Sequence, residues 1–248
     1  MRDRHPDIAT LARRVAAEFL GSAFLLATVV GSGIMGAKLA GGNMALALLG
    51  NTLATGAILV VLIVIFGPIS GAHSNPAVST AFALRGQLPA PEFALYIGAQ
   101  LAGAIVGVWS AHLMFDLPIL QLSATARTGP AQWFAEFIAT FGLLLTIFGC
   151  IARAPSAVPY AVGLYITAAY WFTASTSFAN PAVTVARSFS DTFSGIAWAG
   201  APAFIAAQLA GSAAALTLAR WLWRRSAADN VPVERAVATK RSTRMPSQ

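Results

Sequence analysis

Charge is the scarcest commodity in this chain: only 10% of its 248 residues are Asp, Glu, Lys or Arg. A folded soluble domain needs about a quarter of its residues charged to dress its surface, so water is the wrong solvent for most of this sequence. Cysteine is nearly absent. Cys150 stands alone inside an apolar run, which rules out an intrachain disulfide framework and suggests an inert buried thiol. The three histidines and nine Asp and Glu form no metal-ligand cluster, no nucleophile triad can be assembled, and no phosphate-cradling loop occurs. The expectation is therefore no enzyme, no cofactor and no metal.

The excess of basic residues, a formal +7, invites a nucleic-acid reading, but their placement argues against it. Arg2, Arg4, Arg13 and Arg14 precede the first apolar run, and Arg220, Arg224, Arg225, Arg235, Lys240, Arg241 and Arg244 follow the last. Hydrophobic residues make up 57% of the chain and fall in long runs, each enough to cross a bilayer as a helix. Six such spans are expected, at about 14–36, 44–67, 92–115, 132–152, 156–175 and 199–223. The first is too long for a signal peptide, carries Glu18 and is echoed later, so it reads as a retained span. Two shorter apolar stretches, 71–84 and 177–190, are too short to cross and too apolar for loops, and are expected to be re-entrant. With the N-terminus inside, only Lys38, Arg127 and Arg187 of the sixteen Lys and Arg fall outside. That asymmetry puts both termini in the cytoplasm and the chain in the cell's inner membrane. The expected segments are a cytoplasmic stretch 1–13, a membrane domain 14–223 and a disordered polar tail 224–248.

The two halves, about 14–115 and 132–223, repeat. AEFLGSAFLLATVVG (17–31) matches AEFIATFGLLLTIFG (135–149), SNPAVSTA (74–81) matches ANPAVTVA (179–186), and YIGAQLAGA (96–104) matches FIAAQLAGS (204–212). With an odd number of spans per half, the second copy enters the membrane upside down, and inverted repeats place a solute site at the midplane between broken helices. Gly103 and Gly107 form a GxxxG, and Ala207, Gly211 and Ala215 keep that spacing in the partner helix, so close helix packing is expected there. Trp133, Trp171, Trp221 and Trp223 lie near span ends, as interfacial anchors would.

The paired motifs Asn75-Pro76-Ala77 and Asn180-Pro181-Ala182 carry the chemistry. Each is a helix start: asparagine caps, and proline at the first helical position gives up an N–H that has no partner anyway. The helix-compatible residues after each motif give two to three turns, so in an inverted repeat two short helices meet tip to tip near the bilayer centre. Each tip carries a partial positive charge of about half a unit, which repels cations. Each asparagine can cap with its oxygen and offer N–H donors to a passing solute oxygen, turning water so as to break a proton wire. One such motif is an ordinary helix cap; two in register in an inverted repeat are not.

Over about residues 13–223, and most closely in SGAHSNPAV (70–78), the chain resembles the major intrinsic protein family, the aquaporins and aquaglyceroporins. The resemblance implies an all-α fold of six transmembrane helices and two re-entrant half-helices, and a passive channel for small neutral solutes assembled as a homotetramer in the lipid bilayer. It also implies that Glu18 and Glu136 are buried carboxylates bracing the re-entrant loops rather than proton relays. In the family four residues narrow the pore beyond the asparagine pair. Counting from the motifs without gaps, they fall here at Thr55, Ala168, Ser177 and Val183, which lie 20 before Asn75, 12 and 3 before Asn180 and 3 after it. Water-selective members carry aromatic, histidine and arginine side chains at three of these places. The set here is small and uncharged, which implies a wide filter passing water, polyols and bulkier neutral solutes, with weaker exclusion of protons and anions. Carbonyls around Gly71–Ser74 and Ser177–Ala179 add acceptors. Valine in place of the arginine resembles bacterial aquaglyceroporins linked to arsenic resistance, which implies arsenite and methylated arsenicals as further solutes.

Two residues leave alternatives open. Arg187 follows Val183 by one helical turn, about 6 Å. It either leans back to the pore mouth or, as the favoured expectation, pairs with Asp191 or snorkels to the interface. His73 lines the pore either as a pH gate or, more in keeping with its setting, as a fixed neutral ring. His112 and His5 are expected to be idle interfacial and tail residues. Competing functions are a water-selective pore, a secondary transporter, which needs site-lining carboxylates, and a non-conducting scaffold, which leaves the paired motifs without purpose.

Overall fold

The computed structural model describes residues 9–223; the expected N-terminal basic pair Arg2 and Arg4, His5 and the tail from 224 lie outside the described residues. Among the described residues there are helices and loops but no strands. The first half contains α1 (Leu11–Leu39), α2 (Met44–Ser70), the short α3 (Pro76–Leu84) and α4 (Ala90–Met114). The second contains α5 (Pro130–Arg153), α6 (Val158–Phe172), the short α7 (Pro181–Arg187) and α8 (Ala201–Leu222).

Local chemistry sets the boundaries. Asn43 caps α2 by accepting from the N–H groups of Ala45 and Leu46, and Gly71 ends it at φ 88°, a conformation open to glycine at no steric cost. Among the described residues five helices are long and apolar enough to cross a membrane. The fifth of the six expected spans is shorter than expected: α6 has 15 residues, preceded by a 3₁₀ turn at Pro155–Ala157. Pro155 and Pro159 fix its start, and the chain leaves helical geometry at Thr173 (ψ 134°), so residues 173–179 descend as extended and kinked backbone instead.

The repeat is visible in the packing. α1 lies along α4 and α5 along α8, at distances only small residues permit. A Cβ on Gly103 would overlap the Phe19 carbonyl oxygen, one on Gly107 that of Ala23, and one on Gly211 that of Phe137. We expect Gly103→Leu to drive α1 and α4 apart. Thermal denaturation in detergent should show a loss of about 3 kcal/mol or more, the scale of severe overpacking; a melting temperature unchanged from wild type would contradict this packing. The outward faces keep large apolar side chains in the open, Phe24, Leu53, Phe134, Leu164 and Trp221 among them, as a surface facing lipid requires. α3 and α7 lie inside this shell, in contact with each other.

Candidate functional site

The site grows from the two half-helix starts. Asn75 caps α3 by accepting from Ala77 N (2.9 Å), and Asn180 caps α7 by accepting from Ala182 N (2.9 Å) and Val183 N (3.2 Å). Their amide nitrogens then cross between the halves. Asn75 Nδ2 donates to Ala179 O and Asn180 Nδ2 to Ser74 O, both at 2.8 Å, so each asparagine bonds the carbonyl just before its counterpart. That uses one of the two N–H donors on each amide and leaves the other for the cavity both residues line.

The segments leading into these caps hold non-glycine residues in left-handed geometry: Ala72 and Ser74 in the first half, Thr176, Ser177 and Ala179 in the second. Such conformations cost about 1–2 kcal/mol each and persist only where the surroundings enforce them. The enforcing groups are the two buried carboxylates. Glu18 accepts from Ser70 Oγ (2.6 Å), His73 N (2.9 Å), Ser74 N (2.6 Å) and Gln100 Nε2 (2.7 Å). Glu136 accepts from Phe178 N (2.8 Å), Ala179 N (2.9 Å) and Gln208 Nε2 (2.6 Å). The second N–H of each glutamine reaches into the half-helix itself, Gln100 to Ser79 Oγ (2.9 Å) and Gln208 to Thr184 Oγ1 (2.8 Å). Gln100 and Gln208 are polar residues standing at the same place in both copies of an apolar repeat, a signal present in the sequence that motif counting alone passes over.

A continuous cavity of about 130 Å³ runs between the halves. At one end it is walled by His73, Phe82, Ile151 and Val158, at its middle by Asn75 and Asn180, and at the other end by Thr55, Tyr170, Ser177, Val183 and Arg187. His73 is half-buried, with Nδ1 3.1 Å from Ser79 Oγ and its ring 4.6 Å from that of Phe82, so it is held in place.

Of the four positions counted from the motifs, Thr55, Ser177 and Val183 line the cavity and Ala168 does not. Ala168 is exposed on the outside of α6, and Tyr170 stands in the wall instead, donating from its hydroxyl to Thr55 Oγ1 (3.3 Å). Two residues turn an α-helix by about 200°, enough to exchange one face for the other. The gap-free count fails because residues 173–179 do not follow the path that constant spacing assumes.

Arg187 corrects a second expectation. It neither pairs with Asp191 nor reaches an interface: it is 2% exposed, lines the cavity, and donates from Nε to Ser194 O. Asp191 is exposed and instead accepts from Ala124 N (3.0 Å). Side chains on a helix slant toward its N-terminus, which here means toward Asn180 and the cavity, so one turn of separation is recovered along the side chain. This end of the cavity therefore carries a guanidinium, which the four counted residues alone did not include. The guanidinium of Arg187 lies 3.5 Å from the centroid of the Phe178 ring, and that of Arg127, from the loop before α5, lies 5.4 Å from the same centroid. Arg127 Nε donates to Gly195 O (2.8 Å), and burial pushes its guanidinium below the ordinary value. The carbonyls of Ser194 and Gly195 thus hold the two arginines.

His112 is a third correction. It is fully buried, with Nδ1 3.0 Å from Ile119 O and Nε2 2.9 Å from Ser190 Oγ, clamping the end of α4 to the loop after α7.

Comparison with known proteins agrees with this architecture. The model of the family described as major intrinsic protein matches residues 7–168. The chain is 60% identical over 212 residues to the aquaglyceroporin AqpS of Rhizobium meliloti (strain 1021), covering 86% of this chain and 91% of that one. It is 35% identical over 146 residues to the putative aquaporin NIP4-1 of Arabidopsis thaliana, covering 58% of this chain and 50% of that relative's length. Among solved structures, the aquaglyceroporin of Plasmodium falciparum has the same fold, with a TM-score of 0.66 at 23% identity over 84% of this chain and 95% of that one. Two capped half-helices joined across an inverted repeat, a cavity running past both caps and these matches lead to one assignment: the chain belongs to the major intrinsic protein family, whose members are membrane channels and not enzymes.

Proposed function

We propose that the protein is a passive channel for water, glycerol-like polyols and other small uncharged hydroxylated solutes, arsenite as As(OH)3 and methylated arsenicals among them. The observation that carries this reading is the cavity passing both Asn75 and Asn180, each with an N–H to spare. A solute with several hydroxyls meets donors and acceptors in the lining at Ser177, Thr55, Tyr170 and Arg187. Val29, Leu59, Ile63 and Val183 offer an apolar wall to its carbon or arsenic skeleton. A lining that mixes polar and apolar side chains suits amphipathic solutes better than water alone, and the likeness to an aquaglyceroporin of Rhizobium points the same way. Glu18 and Glu136 have their oxygens occupied by loop and glutamine donors, which speaks against a proton- or ion-coupled transporter.

The filter in this reading is Thr55, Tyr170, Ser177 and Val183, with Arg187 providing the guanidinium from one turn beyond Val183. The Arg187 end of the cavity faces outward, both termini are cytoplasmic in the inner membrane, and four copies associate through their lipid-facing helices with one pore each. The test is stopped-flow light scattering on proteoliposomes with water, glycerol and urea gradients. Flux should rise linearly with solute gradient and need no ion gradient; flux that saturates and collapses without an ion gradient would make the protein a transporter.

A further inference from the structure

The outward end of the cavity holds more positive charge than a neutral solute requires. Arg187 Nη1 is buried without a hydrogen-bond partner, and so is Ser177 Oγ, at 3% exposure for its residue. Both residues line the same stretch of cavity. Arg127, which does not itself line the cavity, shares the Phe178 ring with Arg187, so a second guanidinium lies behind this mouth. No carboxylate contacts either of them: among the described residues the one Lys/Arg–carboxylate contact is Arg14–Glu92 (2.6 Å). Glu136 is occupied by Phe178 N, Ala179 N and Gln208 Nε2, and Asp191 by Ala124 N. A buried guanidinium held only by carbonyl oxygens retains its full appetite for an anionic acceptor, and its planar fork fits two in-plane oxygens.

We propose that this mouth is a binding station for a small planar oxyanion of single charge (carboxylate, bicarbonate or nitrate), seated on Arg187 Nη1 and Ser177 Oγ, whose occupancy obstructs neutral flux. Tyr170 and Thr55, already bonded to each other, line the cavity beside them. An anion that moves deeper exchanges a full guanidinium charge for the neutral amides of Asn75 and Asn180 and the partial charges of the half-helix tips, among apolar side chains such as Leu25, Leu59 and Leu62, so it stays at the mouth. The station is thus an inhibitory site, sensitive to the anions of the outer medium. It rests on the reading of the cavity as the conduction path only for its effect on flux; binding itself does not.

The test uses the full chain in proteoliposomes and sodium nitrate as the probe, since nitrate does not cross lipid as a neutral acid. Water permeability should fall saturably with external nitrate and stay constant with equiosmolal sodium gluconate, whose anion is too bulky for the cavity. Arg187→Gln should weaken half-inhibition about tenfold or more, the value of one charge-assisted hydrogen bond, and Arg187→Lys less than that. Arg127→Gln, which leaves the cavity wall intact, should shift it in the same direction by a smaller factor and serves if Arg187→Gln does not fold. Independently of flux, nitrate should raise the melting temperature of the detergent-solubilised wild type relative to gluconate. Inhibition equal in wild type and Arg187→Gln, nitrate uptake without inhibition, or no nitrate effect on either flux or melting would overturn the station. Absence of water flux together with nitrate-dependent melting would overturn the channel reading and leave the station standing.

Discussion

Proteoliposomes carrying Arg187→Gln should leak protons about a hundredfold faster than those carrying the wild type, and Arg187→Lys should leak little more than wild type. A cation in the filter would sit about 5 Å from the guanidinium; at an effective dielectric of about 20 that repulsion is about 3 kcal/mol, or two decades in rate. The half-helix tips of α3 and α7 add a second barrier, but with about half a charge each and part of it screened by the capping oxygens of Asn75 and Asn180. Glutamine keeps most of the volume and a donor, so the difference reports charge rather than a widened pore. A pH-sensitive dye inside the vesicles, clamped with valinomycin and potassium, reads the leak. A leak unchanged in Arg187→Gln would assign the whole barrier to the half-helices and remove Arg187 from the filter. The prediction reverses what the four counted positions implied: a chain with valine at the usual place of the arginine still excludes cations, because another arginine reaches back to the same cavity.

That reversal is invisible in the sequence because of what each residue depends on. Asn75 and Asn180 are governed by local rules, a cap followed by proline at the first helical position, and so the motifs, their register and the inverted repeat can be read directly. Glu18 and Glu136 are marked by being charges within apolar runs. The position of Tyr170 depends on how seven residues, 173–179, spend their length, and three of them adopt left-handed backbone that no spacing argument anticipates. Arg187 depends on Ser194 O, brought to it by a loop that folds back after α7, and Arg127 on Gly195 O from the same loop. His112 has the composition of an interfacial residue and becomes a core residue only because Ile119 and Ser190 close over it. Residues held by their own helix are legible; those held by a loop from elsewhere in the chain are not. The short fifth span is an intermediate case, since Pro155 and Pro159 announce its start but nothing announces its end at Phe172.

Glu136→Ala should be among the most damaging single substitutions in the protein, lowering stability by about 3–5 kcal/mol, the range for removing one partner from a buried charged network. The carboxylate is fully buried and binds the N–H groups of Phe178 and Ala179 and the amide of Gln208. Alanine would leave all three donors in a space closed to water, at about 1–3 kcal/mol apiece before relaxation. It would also release the backbone that holds Ser177 and Ala179 at φ 50° and 48°, so strain now balanced by the carboxylate would unwind the segment entering α7. Ala179 O accepts from Asn75, so the unwinding would loosen the cap pairing as well. Glu136→Gln should cost less, since its amide oxygen can still accept from Ala179 N and Gln208 Nε2, although its own NH2 then opposes the Phe178 N–H. Glu18→Ala should match Glu136→Ala, because the repeat gives Glu18 the same duties toward His73, Ser74 and Gln100. Melting in detergent, followed by size-exclusion fluorescence, orders the variants: wild type, then Glu136→Gln, then the two alanines. If Glu136→Ala melted with wild type, the left-handed segment would have to be held by its own backbone and the packing of Phe178 against Phe204, and the carboxylate would be stabilising nothing that the pore needs.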